Sequence, residues 1–398
     1  MTLAQGLLLG AVLLGFGYWL IASALALRAA WTMPVLRDLR PSDPARWPSL
    51  SVVIPACNEA SSIEGALRSR LTQDYPNLEV VVVEDRSTDA TSSIVDRIAA
   101  EDPRLKALHI QELPRGWLGK LHALHRGAEA ASGEWLLFTD ADVHFAPETL
   151  RRAVAYCEER GLDFLTAMPE FTPLGSLLDV PISVFVRNVA MGAQAREVED
   201  PASRLAVGGG VFNLVRRSAF EKTPGFSYLK LEVADDVSFG QMMKRGGARC
   251  SVVNARGMIC LRFYESIAEM ARGCEKAGFA VIGRFSHARL LAVTLLYLGL
   301  ELSPFVALAP LGIPWLPAAG ALMIGVALTS TALVNRSFGR SVLPALFSPL
   351  GAVLIAVFFL RSGYLAWRRG GVAWRGTLYP TDLLRDGVRF EPPWGGRP

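Results

Sequence analysis

Hydrophobic and polar positions along the chain fall into two regimes. Residues 1–27, 302–335 and 341–360 carry no Asp, Glu, Lys or Arg, whereas the stretch between the first and second of these runs is rich in charge. The run from Leu3 to Leu27 is long enough to span ~30 Å of hydrocarbon as a helix. A secretory signal peptide ending near Ala22-Ser23-Ala24 is the alternative, but the run has no basic leader and exceeds the usual apolar length. Leu290–Asn335 holds one charge, Glu301, and fits two helices broken near Gly312-Ile313-Pro314. Ser341–Leu360 is a third candidate, in which Pro344 and Pro349 favour a re-entrant or half-crossing element. The first basic residues, Arg28, Arg37, Arg40 and Arg46, follow the first span, so the N-terminus is expected outside and the next domain in the cytoplasm. One plus three crossings would put the tail outside, against the preference of Arg361, Arg368, Arg369 and Arg375, so the pattern leaves the parity open.

The charged middle alternates short β-branched runs with amphipathic stretches. Strands are expected at 51–54, 78–83, 105–110 and 135–139, and helices at 61–71, 89–100 and 120–131. Val80-Val81-Val82-Val83 has no polar alternation, as suits a strand covered on both faces of a parallel sheet. Repeated βα units with short connections predict a doubly wound, Rossmann-like α/β domain.

Composition adds limits. The net charge of +4, from 41 basic and 37 acidic residues, is too even for a nucleic-acid footprint. A hydrophobic content of 51% excludes dominant disorder. The five cysteines (Cys57, Cys157, Cys250, Cys260 and Cys274) form no C-x-x-C pair and are expected to be reduced, buried thiols.

In a doubly wound sheet, ligands bind beyond the carboxyl ends of the strands. After the first strand comes Pro55-Ala56-Cys57-Asn58-Glu59, without the glycines of a dinucleotide fingerprint. Glu84-Asp85-Arg86-Ser87-Thr88-Asp89 follows the second and Asp140-Ala141-Asp142 the fourth. Three strand ends thus bring carboxylates to one cleft, a costly concentration of like charge without a cation. Helix capping by Ser87, Thr88 or Asp89 accounts for one cluster only. Asp140-x-Asp142 suits Mg²⁺ or Mn²⁺, which take one or two carboxylates plus substrate phosphates. His144 is a candidate third ligand or a plain surface histidine. Asp235-Asp236 opens a helical stretch whose N-terminus would hold their charge. Gly208-Gly209-Gly210 either lets an acceptor approach the backbone closely or is an ordinary turn or bulge.

The order of these motifs resembles the family 2 glycosyltransferases of the GT-A fold. The matching pieces are Val52–Glu59, Val83–Asp89, Gly119-Lys120-Leu121-His122-Ala123-Leu124, Asp140-Ala141-Asp142 and Asp235-Asp236. The membrane frame is similar to a lipid-acting subgroup that includes ceramide, hopanoid-associated and carotenoid glycosyltransferases. Gly116–Lys120 and Trp374–Tyr379 carry that further similarity. The resemblance implies a nucleotide-sugar pocket formed by Pro55, Glu59, Asp85, Lys120 and Asp140. It implies a metal at Asp142 and Asp140, and Asp236 as general base with Asp235 in place of the family's Glu. The Q/R-x-x-R-W motif of processive synthases is missing; Ala271-Arg272-Gly273-Cys274-Glu275-Lys276 stands in that region, and Arg272, Lys276 or Arg284 is the candidate replacement cation.

The expected organisation is an N-terminal anchor (1–30), a GT-A domain (48–285), a C-terminal transmembrane region (286–362) and a basic tail (363–398). Residues 173–195 are expected to form an interfacial helix. The expected protein is a multi-pass inner (plasma) membrane enzyme with a cytoplasmic catalytic domain, inverting and non-processive. It would move one sugar from a nucleotide-diphosphate donor, a UDP-sugar by preference, to a hydroxyl of a hopanoid, carotenoid or sphingolipid. Transfer to polyprenyl phosphate or a cell-surface polysaccharide, and a non-catalytic transport or scaffold subunit, are the competing readings. No nucleic-acid partner is expected.

Overall fold

The computed structural model describes residues 2–175 and 177–391. Its strands are β1 (Leu50–Ala56), β2 (Leu78–Asp85), β3 (Leu105–Ile110), β4 (Trp135–Phe138), β5 (His144–Phe145), β6 (Phe164–Met168), β7 (Glu170–Phe171), β8 (Asn213–Arg216), β9 (Cys250–Asn254), β10 (Ile259–Leu261), β11 (Gly371–Trp374) and β12 (Thr377–Pro380). The helices of nine or more residues are α1 (Leu3–Thr32), α2 (Ile63–Leu71), α3 (Thr91–Glu101), α4 (Gly119–Ala130), α5 (Thr149–Arg160), α6 (Asp179–Gly192), α7 (Asp235–Arg245), α8 (Ile267–Ala277), α9 (His287–Val306), α10 (Leu316–Ser337) and α11 (Ser348–Arg369).

The chain divides into two compact units. One comprises 33–172, 195–263 and the stretch from Asp386; the other comprises 1–32, 173–194 and 264–385.

The first unit is built on a seven-stranded sheet of order β3-β2-β1-β4-β8-β6-β9. β1 pairs in parallel with β2 and β4, while β8 runs antiparallel to both β4 and β6. Val80 to Val83 are fully buried, as an uninterrupted apolar strand requires, with layers on both faces. Chain direction reverses beside β4, so the ends of β1, β2 and β4 open onto one side of the sheet. The expected strands and helices of 50–140 stand within about two residues of their observed bounds.

The second unit holds the apolar helices. Four segments are long and apolar enough to cross a membrane: Gln5–Thr32, His287–Val306, Leu316–Ser337 and Leu343–Arg369. The break expected near Gly312 is present, since α9 ends at Val306 and α10 begins at Leu316. Pro344 falls in a short 3-10 turn and Pro349 in the first turn of α11, where the missing N–H costs nothing, so α11 runs unbroken. Two stretches that the sequence places inside 48–285, namely 173–194 and 264–285, belong to this helical unit. The reason is visible in α6. Val180, Ile182, Val184 and Val186 are buried, and Arg187 is fully buried with its guanidinium 2.6 Å from Glu301 of α9. The similarity motif at Trp374–Tyr379 is a β-hairpin whose tight turn, Arg375-Gly376, has both residues at positive φ, the conformation a two-residue hairpin loop demands.

Among the described residues, Cys157, Cys250, Cys260 and Cys274 form no disulfide, and Cys57 and Cys274, expected to be buried, are only half-buried. Cys157 and Cys250 are buried, and burial pushes their thiols up, to about 12 at Cys250. Cys260, expected to be buried, is exposed because it sits on the outward face of β10 between the buried Ile259 and Leu261.

Candidate active site

The loops after β1 and β2 are stitched together by short polar side chains. Asn58 adopts φ 57°, a left-handed turn that Asn tolerates. Its side-chain oxygen accepts from the Thr88 N–H at 2.8 Å, and its own N–H donates to Ser87 Oγ at 3.0 Å. The Glu59 N–H donates to Thr91 Oγ1, and that of Ala60 to Asp89 Oδ2. Asp89 also accepts from the Thr91 N–H at 3.0 Å. Burial opposes its charge, but these hydrogen bonds hold its carboxyl below the usual carboxylate range. The Ser87–Asp89 cluster is therefore a clasp between the two loops rather than the expected helix cap, since the N-cap of α3 is Ala90 with no side-chain cap, and it holds the Asn58–Ala60 turn at the mouth of the sheet.

Asp85 is 4% exposed at the end of β2 and is gripped by Arg86, with Nε and Oδ1 2.8 Å apart. Its other oxygen faces the start of α4. A Cβ built on Gly119 would lie 2.3 Å from Asp85 Oδ2, so only glycine lets the helix N-terminus approach the carboxylate this closely.

Lys120 follows directly and is the centre of the site. Its Nζ lies 2.9 Å from Asp140 Oδ1, 3.2 Å from Asp235 Oδ2 and 3.6 Å from Asp236 Oδ1. Burial works against the ammonium, but the three carboxylates outweigh it and hold Lys120 protonated well above the usual lysine range. Asp235 and Asp236 occupy the first turn of α7, where the helix N-terminus favours their charge. Asp235 is buried, whereas the Asp236 side chain is 38% exposed and open to a second reactant. Lys120, Asp140, Gly210, Asn213, Asp235 and Asp236 line one pocket, floored by Phe138, Phe226 and Phe239.

Of the three glycines, Gly208 and Gly210 are closely packed against other groups of the chain. A Cβ at Gly210 would fall 2.8 Å from Asp140 Oδ2, 2.9 Å from Lys120 Nζ and 3.0 Å from Asp236 Oδ1. A Cβ at Gly208 would meet the Asp236 carbonyl oxygen at 2.0 Å. The segment is thus the wall against which the charged groups converge.

Asp142 stands apart from Lys120. Burial, together with Asp140 and Glu59, pushes its carboxyl up to about 6, against the pull of Arg70. This is the electrostatic mark of a site short of positive charge, and two carboxylates with room for phosphate oxygens are an ordinary Mg²⁺ or Mn²⁺ donor set. Among the described residues no three His, Cys, Asp or Glu side chains gather as a metal cluster. His144 turns elsewhere: its Cε1 is 3.1 Å from where a Gly65 Cβ would be, and burial lowers its pKa. Lys276, a candidate cation in the sequence, lies in the helical unit with its ammonium 5.0 Å from the Trp374 ring centre.

Two residues of consequence escape a motif search. Arg70 is fully buried on α2 and donates to the Asp140 carbonyl at 2.6 Å, from behind the Asp140–Asp142 loop. Burial lowers its pKa to about 10, against the pull of Asp142 and Asp140. A signal existed: Ile63, Ala66, Leu67, Arg70 and Leu71 share the buried face of α2, so the arginine occupies a core position of an amphipathic helix. Glu232 is 2% exposed and accepts from the N–H groups of Ala234 and Phe390, both at 2.7 Å, and of Arg389. It tethers the 386–391 stretch just ahead of Asp235, and nothing in its local sequence marks it.

Residues 51–223 match the family described as glycosyl transferase family 2. A Campylobacter jejuni GalNAc(5)-diNAcBac-PP-undecaprenol beta-1,3-glucosyltransferase is 36% identical over 95 residues, 24% of this chain and 30% of that protein. A 4,4'-diaponeurosporenoate glycosyltransferase of Staphylococcus haemolyticus is 24% identical over 225 residues, 55% of this chain and 57% of that one. The chain thus matches less than two thirds of the length of these curated relatives. A mannosyltransferase from Pyrobaculum calidifontis, solved with GDP-Man and Mn²⁺, superposes with a TM-score of 0.56 at 23% identity, covering 90% of this chain and 99% of that one. That likeness is one of fold. Residues 51–223 thus carry the match to family 2 glycosyl transferases, on a GT-A-like α/β fold with a mostly parallel sheet.

Proposed function

We propose that the chain is a membrane-bound, inverting, non-processive glycosyltransferase that moves one sugar from a nucleotide-diphosphate donor, expected to be a UDP-sugar, to a hydroxyl of a membrane lipid of hopanoid, carotenoid or sphingolipid type. The observation that carries this reading is the convergence of Asp140 and Asp236 on Lys120, with Asp236 on the open side. Inversion needs a carboxylate on the acceptor side to take the hydroxyl proton as the anomeric carbon is attacked, and Asp236 would be that group. Lys120 would hold that carboxylate in register with the donor side and meet negative charge gathering on the leaving diphosphate. Pro55, Glu59 and Asp85 would position the base and ribose. Asp142, with Asp140, would hold Mg²⁺ or Mn²⁺, which when bound neutralises charge on the leaving group. The apolar helices and the undecaprenol- and carotenoid-directed names of relatives support a lipid acceptor.

The test uses membranes containing the full chain, labelled UDP- and GDP-sugars, native lipid extract, and EDTA as a variable. Metal-dependent label in the lipid phase that disappears in Asp142→Asn and Asp236→Asn is the expected result. Full activity of Asp236→Asn would point to a phosphate acceptor, which needs no strong base, and absence of nucleotide binding would sink the assignment.

A further inference from the structure

Helix α11 is apolar enough to cross a membrane, yet its neighbours within the helical unit put both of its halves at one end of that unit. α9 and α10 form an antiparallel hairpin: a Cβ on Gly320, early in α10, would lie 2.8 Å from both Ala307 Cβ and the Pro304 carbonyl oxygen at the end of α9. The start of α9 and the end of α10 therefore share the opposite end. α11 begins there. Arg340, just past α10, pairs with Asp179 at the first turn of α6 at 2.8 Å, and a Cβ on Gly351 would lie 2.8 Å from the Val180 carbonyl oxygen. The second half of α11 is there too. His287, the first residue of α9, has Nε2 3.0 Å from the Gly363 carbonyl oxygen, and a Cβ on Gly363 would lie 2.5 Å from Leu290 Cδ2. Gly351 and Gly363 are separated by ~18 Å of helix. A helix that crossed from the end of α10 would have carried Gly363 toward the end of α9, not its start.

Chemistry agrees with this placement. Ser23 Oγ of α1 is 2.9 Å from Ser330 Oγ of α10, so Arg28 shares this end with Arg289, Arg336, Arg340, Arg361, Arg368 and Arg369, whereas the 307–315 turn at the other end has no charged residue. Gly351, Ile355, Phe358, Ser362 and Leu365 are buried on one face of α11. Phe347, Leu350, Val357, Leu360, Tyr364 and Trp367 form an exposed stripe along the outer face and its N-terminal approach, ending in two aromatic residues beside Arg368. An apolar stripe closed by aromatic and basic residues is the pattern of a helix lying in the headgroup boundary.

We propose that α11 lies in the plane of the membrane, its outer stripe seated in the lipid interface, and that the chain crosses three times, through α1, α9 and α10. Three crossings put all of these arginines on one side and remove the parity conflict that a fourth would create. The test introduces one cysteine at a time into the full chain: Pro310→Cys in the α9–α10 turn, Ser341→Cys before α11, and Asp382→Cys beyond it. Sealed vesicles of one orientation are treated with a membrane-impermeant maleimide before and after detergent, with the unsubstituted chain as baseline. Ser341→Cys and Asp382→Cys are expected to behave alike, and Pro310→Cys oppositely. Opposite behaviour of Ser341→Cys and Asp382→Cys would mean that α11 crosses, and identical behaviour of all three that α10 does not; either overturns the proposal.

Discussion

The Lys120 ammonium lies 2.9 Å from Asp140 Oδ1, which ties the start of α4 to the end of β4 across the mouth of the sheet. The same nitrogen reaches Asp235 and Asp236, so one cation balances three carboxylates. Lys120→Met keeps most of the side-chain volume and removes the charge. Turnover is expected to fall by ~10²–10³-fold, the usual loss for an electrostatic group at a reacting centre. Nucleotide binding by calorimetry should weaken alongside it. Unchanged turnover would reduce Lys120 to a structural counter-ion.

Gly210 and Gly208 separate chemistry from folding. At Gly210 an added methyl meets the ends of side chains, which can swing aside and lose their alignment. Gly210→Ala should lower turnover by ~10-fold or more while leaving the melting temperature near that of the parent. At Gly208 the methyl meets backbone, the Asp236 carbonyl oxygen, which cannot move without shifting α7. Gly208→Ala should cost about 1–3 kcal/mol of stability by overpacking. Equal melting temperatures for the two variants would contradict the argument.

Arg70 illustrates what the sequence could and could not reveal. The strands were legible because Val80–Val83 and Val52–Ile54 are short β-branched runs without polar alternation, and the carboxylates at 85, 140 and 142 follow from where such strands end. Arg70 was legible as an arginine on the buried face of α2, but its role was not, because its partner is the Asp140 carbonyl and backbone acceptors leave no trace in composition. Gly119 was visible as a motif letter, but its cause, the Asp85 oxygen, lies on another element. The membership of α6 in the helical unit was equally unreadable, since it rests on pairing with Glu301, far along the chain. Arg70→Met is expected to fold, because the site stays filled and apolar, but to weaken nucleotide-sugar binding as the Asp140–Asp142 loop loses its anchor. Unaltered binding would show that the loop holds itself.

His109 on β3 gives a pH signature away from the site. Its Nε2 is 2.9 Å from Asp96 Oδ1 and its Nδ1 is 3.4 Å from Glu84 Oε2. Burial lowers its pKa, but Asp96 and Glu84 outweigh that and raise it above the ordinary value of 6.5. The protonated form is thus favoured in the folded chain. Its stabilisation is complete below the unfolded value and disappears as pH rises through the folded one. His109→Gln should therefore melt lower than the parent at about pH 6, with the gap closing by about pH 9. A gap of the same size at both pH values would show that packing, not charge, is responsible.

Arg187 and Glu301 form an ion pair sealed inside the helical unit, with side chains 0% and 2% exposed. The Arg187 guanidinium stacks over Trp19 at 4.7 Å, and the Tyr18 hydroxyl donates to Glu301 Oε1 at 2.7 Å. Three helices, α1, α6 and α9, thereby meet at one charged knot in otherwise apolar surroundings. Breaking such a pair on one side leaves an uncompensated buried charge, which costs about 3–5 kcal/mol, whereas exchanging both partners for apolar groups of similar size is often neutral or better. Arg187→Met and Glu301→Leu should each lower the thermal stability of the detergent-solubilised protein sharply, and the double variant should recover most of the loss. Part of the residual deficit belongs to the Tyr18 hydroxyl, left without its acceptor, so adding Tyr18→Phe should recover more; the rest belongs to the lost Arg187 contacts with Asn188 and Trp19. A double variant as unstable as the sum of the singles would mean that the two residues act independently, and that α6 is held by its apolar contacts with α1, α10 and α11 rather than by the charges.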